Sequence, residues 1–127
     1  MSKEALVVRP DCTWEIVEIN DYRDIVEHIG CRVMTVIPNH NDMPFDMYGD
    51  DEALLVDYET IEWNPYASEY YGYREHRQPI AGNVVIMGEV NEEGESTSLD
   101  ENHRLAIVLK LAQMQERLEA WELTNNV

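Results

Sequence analysis

The architecture of this chain depends on one segment, Asn83-Val84-Val85-Ile86-Met87-Gly88-Glu89-Val90. Four large apolar residues follow one another in it, and three of them are β-branched. A run of this length without polar alternation is typical of a strand whose two faces are both buried. The segment therefore predicts the central strand of a sheet that is covered on both sides.

Shorter β-branched or alternating runs precede this segment and predict its neighbours in the sheet. They are Ala5–Arg9, Thr13–Ile19, Cys31–Ile37, Phe45–Tyr48, Ala53–Val56 and Thr60–Trp63. Pro10-Asp11 joins the first two as a hairpin turn, whereas the acidic residues between Tyr48 and Ala53 allow either a hairpin or a looser loop. We predict a small α+β domain with a sheet of about five strands, antiparallel or mixed.

A short helix is expected to follow the hairpin. It covers about Tyr22–Ile29, because Asn20 or Asp21 can cap its first turn and Gly30 can end it. Apolar residues recur three and four positions apart along it, so one of its faces should lie on the sheet.

A long helix is predicted near the C-terminus, at about 99–123. Ser98 and Glu101 have the spacing of a capping box, and no proline or glycine interrupts the run. Its apolar stripe consists of Leu105, Ile107, Val108, Leu111, Ala112, Met114, Leu118 and Trp121. Such a stripe has to be buried, either against the sheet or against the same helix of a second copy, which would make a homodimer.

The composition indicates one folded domain over residues 1–127. Hydrophobic residues make up 44% of the 127, which is enough for one core. No apolar run reaches the roughly 18–20 residues of a membrane span, and Met1-Ser2-Lys3-Glu4 does not begin a signal peptide. We therefore expect a cytoplasmic protein in which Cys12 and Cys31 are reduced thiols.

The chain is strongly acidic. Its 26 carboxylates against nine lysines and arginines give a formal net charge of −17. Duplex nucleic acid and anionic membranes are bound through lysine and arginine, so the charge argues against both as direct partners. A cationic protein is the expected partner, and adaptation to concentrated salt is the alternative explanation of the charge.

The acidity is concentrated between Arg32 and Arg74, where 41 residues contain nine carboxylates and no lysine or arginine. The partner-binding residues predicted from this segment are Asp50, Asp51, Glu52, Asp57, Glu59 and Glu62. On a strand, Asp57 and Glu59 would project from one face about 6.6 Å apart, which resembles the spacing of neighbouring phosphates. The segment is predicted either to present a nucleic-acid-like array to a cationic protein or to be a solvated acidic face.

A second candidate site combines aromatic and basic residues. It consists of Tyr66, Tyr70, Tyr71, Tyr73, Arg74 and Arg77. Tyrosine rings stack on bases and arginine holds phosphate, so the group predicts a site for a nucleotide or another small ligand, or an anchor for a protein interface. Burial of the tyrosines at the edge of the core is the structural alternative.

The sequence contains no recognisable catalytic, metal or cofactor motif. Cys12 and Cys31 have no base at a recognised spacing, and the four histidines are scattered. The acidic runs do not follow the ligand order of a calcium loop. We expect a protein that is not an enzyme and that has neither a metal nor a cofactor.

Four short segments carry a resemblance to a known family: Ala5–Asp11, Asn64–Ala67, Ile80–Gly88 and Ser98–Glu101. In this order, over roughly Ala5 to Glu101, the chain resembles the domain-of-unknown-function 3846 family. Members of that family occur largely in phages, plasmids and the bacterial genomes that carry them. The resemblance implies a small α+β domain and a mobile-element setting, and it implies no activity or catalytic residues because the family has none agreed.

Together these features predict a noncatalytic acidic binding protein of a phage or other mobile element. Its expected partner is a cationic, nucleic-acid-binding host or phage protein, which it would engage as a nucleic-acid mimic or as an inhibitor of a defence enzyme. The alternatives are a protein that sequesters a nucleotide or small ligand, and a housekeeping domain adapted to high salt.

Overall fold

The fold is one antiparallel sheet with helices on both faces. The computed structural model describes the backbone of residues 2–125 and the side chains of residues 2–119. The strands are β1 (Lys3–Val8), β2 (Trp14–Ile19), β3 (Met34–Ile37), β4 (Phe45–Asp50) and β5 (Val84–Gly88). The helices are α1 (Tyr22–Ile29), α2 (Pro65–Tyr71), α3 (Tyr73–His76) and α4 (Glu101–Asn125). The strand order β2-β1-β5-β4-β3 confirms the predicted α+β fold.

β5 is the central strand, as predicted, and both of its faces are buried. It pairs with β1 on one side and with β4 on the other, antiparallel in both cases. Val84 and Ile86 belong to one apolar cluster, whereas Val85 and Met87 belong to another. Successive side chains of a strand point to opposite faces, so this short run supplies the middle of both layers of the core.

α1 covers one face of the sheet. Asp21 and Asp24 form a reciprocal capping box at its start, and Gly30 ends it in the left-handed conformation with φ 75°. Ile25 and Ile29 are buried in the cluster that also contains residues of β1, β2, β4 and β5. The predicted bounds of this helix are confirmed.

Two helices, α2 and α4, cover the other face. The sequence pattern predicted α4 and allowed either a short helix or an ordered loop at Tyr66–Tyr73, where α2 lies. Asn64 caps α2, and Pro65 is its first residue. The side chains that these helices bury in the second cluster are Tyr66, Ala67, Tyr70, Ile107, Leu111 and Met114. The cluster also contains Leu6 and Met47, so it joins both helices to the strands beside β5.

The buried stripe of α4 is narrower than the predicted one. Ile107, Leu111 and Met114 are buried, but Leu105 and Ala112 are exposed, as is most of the helix beyond Met114 that has described side chains. The three buried residues form a single line at spacings of four and three, because the helix contacts the layer below along one ridge. The side chain of Trp121 lies outside the described residues. Within residues 2–125, no helix is long and apolar enough to cross a membrane.

The capping box predicted at Ser98 and Glu101 is wrong. α4 begins at Glu101, and the Asp100 carboxylate accepts hydrogen bonds from the backbone N–H groups of Asn102 and His103 at 3.0 and 3.3 Å. The Ser98 hydroxyl instead accepts from the backbone N–H of Glu4 in β1 at 3.0 Å. Ser98 therefore connects the chain before α4 to the sheet rather than capping the helix.

Neither Ala53–Val56 nor Thr60–Trp63 forms a strand. The first range forms turns, which agrees with the looser loop that the sequence allowed as an alternative to a hairpin. The second begins at Thr60, the last residue of a short 3₁₀ turn at Tyr58–Thr60, and the predicted strand there is wrong. Both edges of β4 are already paired, with β5 and with β3, so no edge is left for a hairpin with Ala53–Val56. Trp63 forms an isolated bridge with Ala81 and is not part of a longer strand.

Candidate functional site

Large apolar side chains lie exposed inside the long acidic segment that has no lysine or arginine. We call residues 51–62 the acidic–apolar loop. Leu55 and Tyr58 are 77% and 79% exposed, and Leu54 and Val56 are exposed as well. Soluble proteins rarely display several neighbouring apolar side chains unless they bind something there. The local pattern of Ala53–Val56 fits either a strand or a loop, so the exposure of these side chains could not be predicted from it.

Backbone hydrogen bonds hold the acidic–apolar loop in a defined shape. They connect its start to the residues before β3, form two turns within it, and connect its end to the residues before β5. The bonds, donor first, are Asp51 to Val33 (2.9 Å), Leu55 to Glu52 (3.0 Å), Thr60 to Asp57 (2.8 Å) and Gly82 to Glu62 (2.9 Å). A loop that is ordered before binding loses less conformational entropy when a partner binds it.

Glu52, one of the predicted partner-binding residues, forms an ion pair. The Arg32 guanidinium donates from Nε to Glu52 Oε1 at 3.0 Å and from Nη2 to Oε2. The hydrogen bonds from Arg32 lower the pKa of the Glu52 carboxyl. Asp50 accepts from the Glu52 N–H at 2.8 Å, and it lines a depression of about 230 Å³ together with Glu62. Asp50 and Glu52 thus form hydrogen bonds that hold the beginning of the loop in place. The two ends of the loop lie on either side of the depression.

The remaining predicted partner-binding residues, Asp51, Asp57, Glu59 and Glu62, are exposed. Within the described residues none of these four carboxylates forms an ion pair. Asp57 and Glu59 do not lie on a strand: Asp57 precedes the 3₁₀ turn and Glu59 is inside it. Successive residues of a 3₁₀ turn are rotated by about 120°, so the predicted phosphate-like spacing of this pair is wrong.

The fold divides the predicted aromatic and basic site. Tyr66 and Tyr70 are buried in the core under α2, whereas Arg74 and Arg77 are exposed. Between the two pairs, Gly72 adopts the left-handed conformation with φ 81° and redirects the chain into α3. Burial raises the pKa of both Tyr66 and Tyr70. The structure therefore does not bring these residues together in one place, and for Tyr66 and Tyr70 it agrees with the alternative of burial at the edge of the core.

Tyr71 and Tyr73 have other partners. The Arg74 guanidinium lies over the Tyr73 ring, 5.8 Å from its centroid. The Tyr71 ring meets His40 edge-on at 5.0 Å, and His40 stacks on His76 with ring centroids 3.8 Å apart. This cluster of three rings has no signal in the sequence, because no motif links His40 to residues that lie more than thirty positions later.

A cleft of about 440 Å³ lies where α2 and α4 meet the residues around the start of β4. We call it the helix cleft. Among its lining residues are Met43, Phe45, Tyr66, Tyr70, Ile107 and Lys110. Two of the predicted ligand-binding tyrosines therefore line a cleft, but without the arginines that were expected beside them.

The two cysteines are free thiols on opposite faces of the sheet. Cys12 is buried in the cluster under α2 and α4, whereas Cys31 packs against the cluster under α1. Desolvation raises the pKa of each thiol, with nearby carboxylates adding to the effect. A raised pKa disfavours the nucleophilic thiolate. Among the residues described, no group of three or more His, Cys, Asp and Glu side chains is arranged to hold a metal ion.

Comparison with known proteins tests the family resemblance. No curated protein and no solved structure matches the chain. The family model described as "Domain of unknown function (DUF3846)" matches residues 1–118. This range contains the whole sheet, α1 to α3 and the larger part of α4. The chain therefore belongs to the DUF3846 family.

Proposed function

We propose that the protein is a noncatalytic binding protein that engages a cationic protein through the acidic–apolar loop. One observation carries the proposal: the exposed side chains of Leu54, Leu55, Val56 and Tyr58 lie in the same ordered loop as carboxylates that have no ion-pair partner among the described residues. A partner that covers this loop would bury apolar surface and neutralise negative charge together.

The two kinds of side chain would contribute differently to binding. Full burial of one exposed leucine or valine side chain stabilises a complex by about 1.5–3 kcal/mol. Acidic residues at the rim raise the association rate of a cationic partner and disfavour an anionic one. An apolar centre with a charged rim is the usual composition of a protein–protein interface.

The surface next to the loop also suits a protein partner. Val36 on β3 is exposed, and it lines a groove of about 230 Å³ together with Leu54 and Leu55. β3 is an edge strand, so one row of its backbone N–H and C=O groups is not paired within the sheet. These groups supply hydrogen bonds to an extended segment of a partner.

A narrower form of the proposal is that the partner is a nucleic-acid-binding protein, since such proteins carry the cationic surfaces that this charge attracts. The attraction would depend on the total charge of the loop rather than on a regular spacing, because Asp57 and Glu59 lie at a 3₁₀ turn. In a phage or another mobile element, a protein with this property would act in the host cytoplasm as an inhibitor of a defence enzyme.

The test compares two triple variants that lose the same charge. The loop variant is Asp57→Asn, Glu59→Gln, Glu62→Gln. The control variant, in the exposed turn after β5, is Glu92→Gln, Glu93→Gln, Glu95→Gln. A photo-crosslinking residue replaces Leu55, host lysate supplies the candidates, and mass spectrometry identifies the crosslinked protein. The affinity of that protein, once purified, is then measured by calorimetry at low and physiological salt.

We expect a crosslinked protein with a basic surface, and a loss of affinity of about tenfold or more for the loop variant, since three exposed ion pairs are removed. The control variant should lose less than about threefold, because it leaves the interface intact. Two outcomes would contradict the proposal: a crosslinked partner without a basic surface, or equal losses in the two variants.

A further inference from the structure

The helix cleft is separate from the acidic–apolar loop and has the dimensions of a small-molecule site. Its volume of about 440 Å³ falls within the range of about 300–1,000 Å³ that is typical of such sites. Phe45, Tyr66, Tyr70 and Ile107 form apolar walls and are themselves buried in the core. The walls are therefore fixed by the packing of the fold and do not depend on a mobile segment.

Most polar groups of the cleft already have partners. Lys110 Nζ lies 3.6 Å from Glu69 Oε2. Asn41 Nδ2 donates to the backbone carbonyls of Glu69 and Tyr70 at 3.2 and 3.1 Å. The Tyr70 hydroxyl donates to the Phe45 carbonyl at 3.1 Å. The charge of the lysine is thus balanced by the glutamate, and the amide is used to complete the end of α2.

The Tyr66 hydroxyl is different. The residue is 7% exposed and lines the cleft, yet no described residue hydrogen-bonds to this hydroxyl. In the described part of the chain, every side-chain oxygen or nitrogen that is sealed from solvent has a partner, so this hydroxyl keeps some access to solvent, on a residue that lines the cleft. Burial raises the pKa of Tyr66, with Tyr70 and Glu69 adding to the effect, so the group stays a neutral donor.

We infer that the helix cleft binds a small, uncharged, planar molecule that carries one hydrogen-bonding group, with the Tyr66 hydroxyl as its polar partner. The Phe45 and Tyr70 rings lie at 24° to each other with centroids 5.8 Å apart, and such ring surfaces favour a flat apolar ligand.

The charges of the site favour an uncharged ligand over an ionic one. An anion would have to draw Lys110 away from Glu69 on a chain with a net charge of −17. A cation would have to compete with Lys110 for the same carboxylate, although the pair is partly exposed and therefore weak. A nucleotide does not suit the cleft either, because Arg74 and Arg77, which would hold its phosphate, are not among the lining residues.

The test uses 2-naphthol and naphthalene as probes, two planar rings that differ by one hydroxyl. Backbone amide NMR spectra of the full chain are recorded as each probe is added. Ala106→Trp fills the cleft from an exposed position of α4, and Ala112→Trp is the matched control on the same helix, exposed and outside the cleft. The dispersed spectrum of each variant shows whether it is folded. Tyr66→Phe removes the hydroxyl.

We expect 2-naphthol to shift the amides of Phe45, Tyr70 and Ile107 in a saturable manner. Ala106→Trp should weaken binding about tenfold or more and Ala112→Trp less than about twofold, because only the first removes apolar contact area. Tyr66→Phe should weaken the binding of 2-naphthol about two- to tenfold, since one hydrogen bond is lost, and leave the binding of naphthalene unchanged.

Three results would overturn the inference: no saturable shifts with either probe, shifts centred outside the cleft, or undiminished binding by Ala106→Trp. The loop variant Asp57→Asn, Glu59→Gln, Glu62→Gln should bind 2-naphthol as the unmodified chain does, so this site and the protein-binding loop are tested independently.

Discussion

The side-chain amide of Asn64 donates a hydrogen bond to the carbonyl of Val8 at 3.2 Å, which joins the start of α2 to the end of β1. The same amide nitrogen donates to the Gly82 carbonyl at 2.9 Å, and the amide oxygen accepts from the Ala67 N–H at 3.0 Å. Asn64 is fully buried. One side chain thus fixes α2 to the end of β1 and to the residues that lead into β5.

Replacing the Asn64 side chain should lower the stability of the fold. Asn64→Ala leaves the carbonyls of Val8 and Gly82 and the N–H of Ala67 without these partners in a buried place. We expect the free energy of unfolding to fall by about 3–5 kcal/mol, measured by urea denaturation. Asn102→Ala, at an exposed position of α4, is the control and should cost less than about 0.5 kcal/mol. Similar losses for the two variants would contradict the role of Asn64.

Gly88 should tolerate no side chain. A Cβ on Gly88 would overlap Thr97 Oγ1 and the backbone carbonyl of Ser98, and the backbone group has no rotamer by which to move away. Gly88→Ala should therefore lower the free energy of unfolding by about 1–3 kcal/mol, seen as a lower Tm in calorimetry. Gly49→Ala is the comparison, because the only close approach of its Cβ, at 2.9 Å, would be to the end of the flexible Ile37 side chain, and its other contacts are at ordinary distances. A larger loss at Gly49 would refute this ranking.

Local signals in the sequence were sufficient to predict the central strand and α1. The run of apolar residues at Val84–Met87 is long enough to identify a strand that is buried on both faces. Asp21 caps the start of α1 and Gly30 ends it, so both signals lie next to the helix whose limits they set. Ala53–Val56 has the same local character as a strand. It could form a strand only beside a free edge of β4. One edge of β4 pairs with β3 and the other with β5, which lies more than thirty residues later in the chain.

The candidate site was only partly predictable for the same reason. Composition located the acidic segment, but the local pattern left Ala53–Val56 open between a strand and a loop and did not predict the exposure of Leu55 and Tyr58. The tyrosines and arginines after Asn64 are adjacent in sequence, yet the left-handed turn at Gly72 separates them in space. The helix cleft requires α4 beside α2, a contact between segments some forty residues apart, and no short motif records it.

The two thiols should differ in reactivity. Cys31 is partly exposed and Cys12 is buried, so a thiol reagent at pH 8 should modify Cys31 first and reach Cys12 only after unfolding. Both reactions should be slower than that of a free cysteine, because the pKa of each thiol is raised. Mass spectrometry of modified peptides gives the order. Rapid modification of Cys12 in the folded protein, or an internal disulfide, would contradict the placement of the thiols on opposite faces of the sheet.

The ion pair between Arg32 and Glu52 should order the start of the acidic–apolar loop. Arg32→Ala removes the donor, and we expect the Leu55 amide, which donates to Glu52, to exchange hydrogen several-fold faster. The pKa of Glu52 is lowered in the folded protein, so the pair stabilises the fold above the ordinary pKa of glutamate and this effect is lost as the pH falls through the lowered value.

Hydrogen-exchange NMR at neutral pH and again in acid checks both parts of this expectation. Arg23→Ala is the control, because Arg23 forms an exposed ion pair with Asp21 and has no contact with the loop. The hydrogen-exchange rates of the loop amides should differ between the two variants at neutral pH and become similar in acid. Unchanged exchange of the Leu55 amide in Arg32→Ala would show that backbone bonds alone order the loop.

Stability should increase with salt because like charges crowd the loop. Raising the ionic strength from about 0.01 M to 0.15 M shortens the Debye length from about 30 Å to about 8 Å, which screens repulsion among the carboxylates between Arg32 and Arg74. We expect the Tm to rise by a few degrees over this range, from a protein that is already folded at the lower salt. Unfolding in dilute buffer would instead favour adaptation to concentrated salt as the reason for the charge.

The loop and turn variants locate this repulsion. Neutralising Asp57, Glu59 and Glu62 should reduce the increase of Tm with salt more than neutralising Glu92, Glu93 and Glu95, although the change in net charge is the same. Both groups lie in segments without lysine or arginine, but the segment that contains the loop, residues 33–73, carries nine carboxylates, and the segment that contains the turn, residues 78–103, carries six. Each loop carboxylate therefore shares its segment with more negative charges. An equal reduction in the two variants would mean that total charge, and not its concentration in the loop, sets the salt dependence.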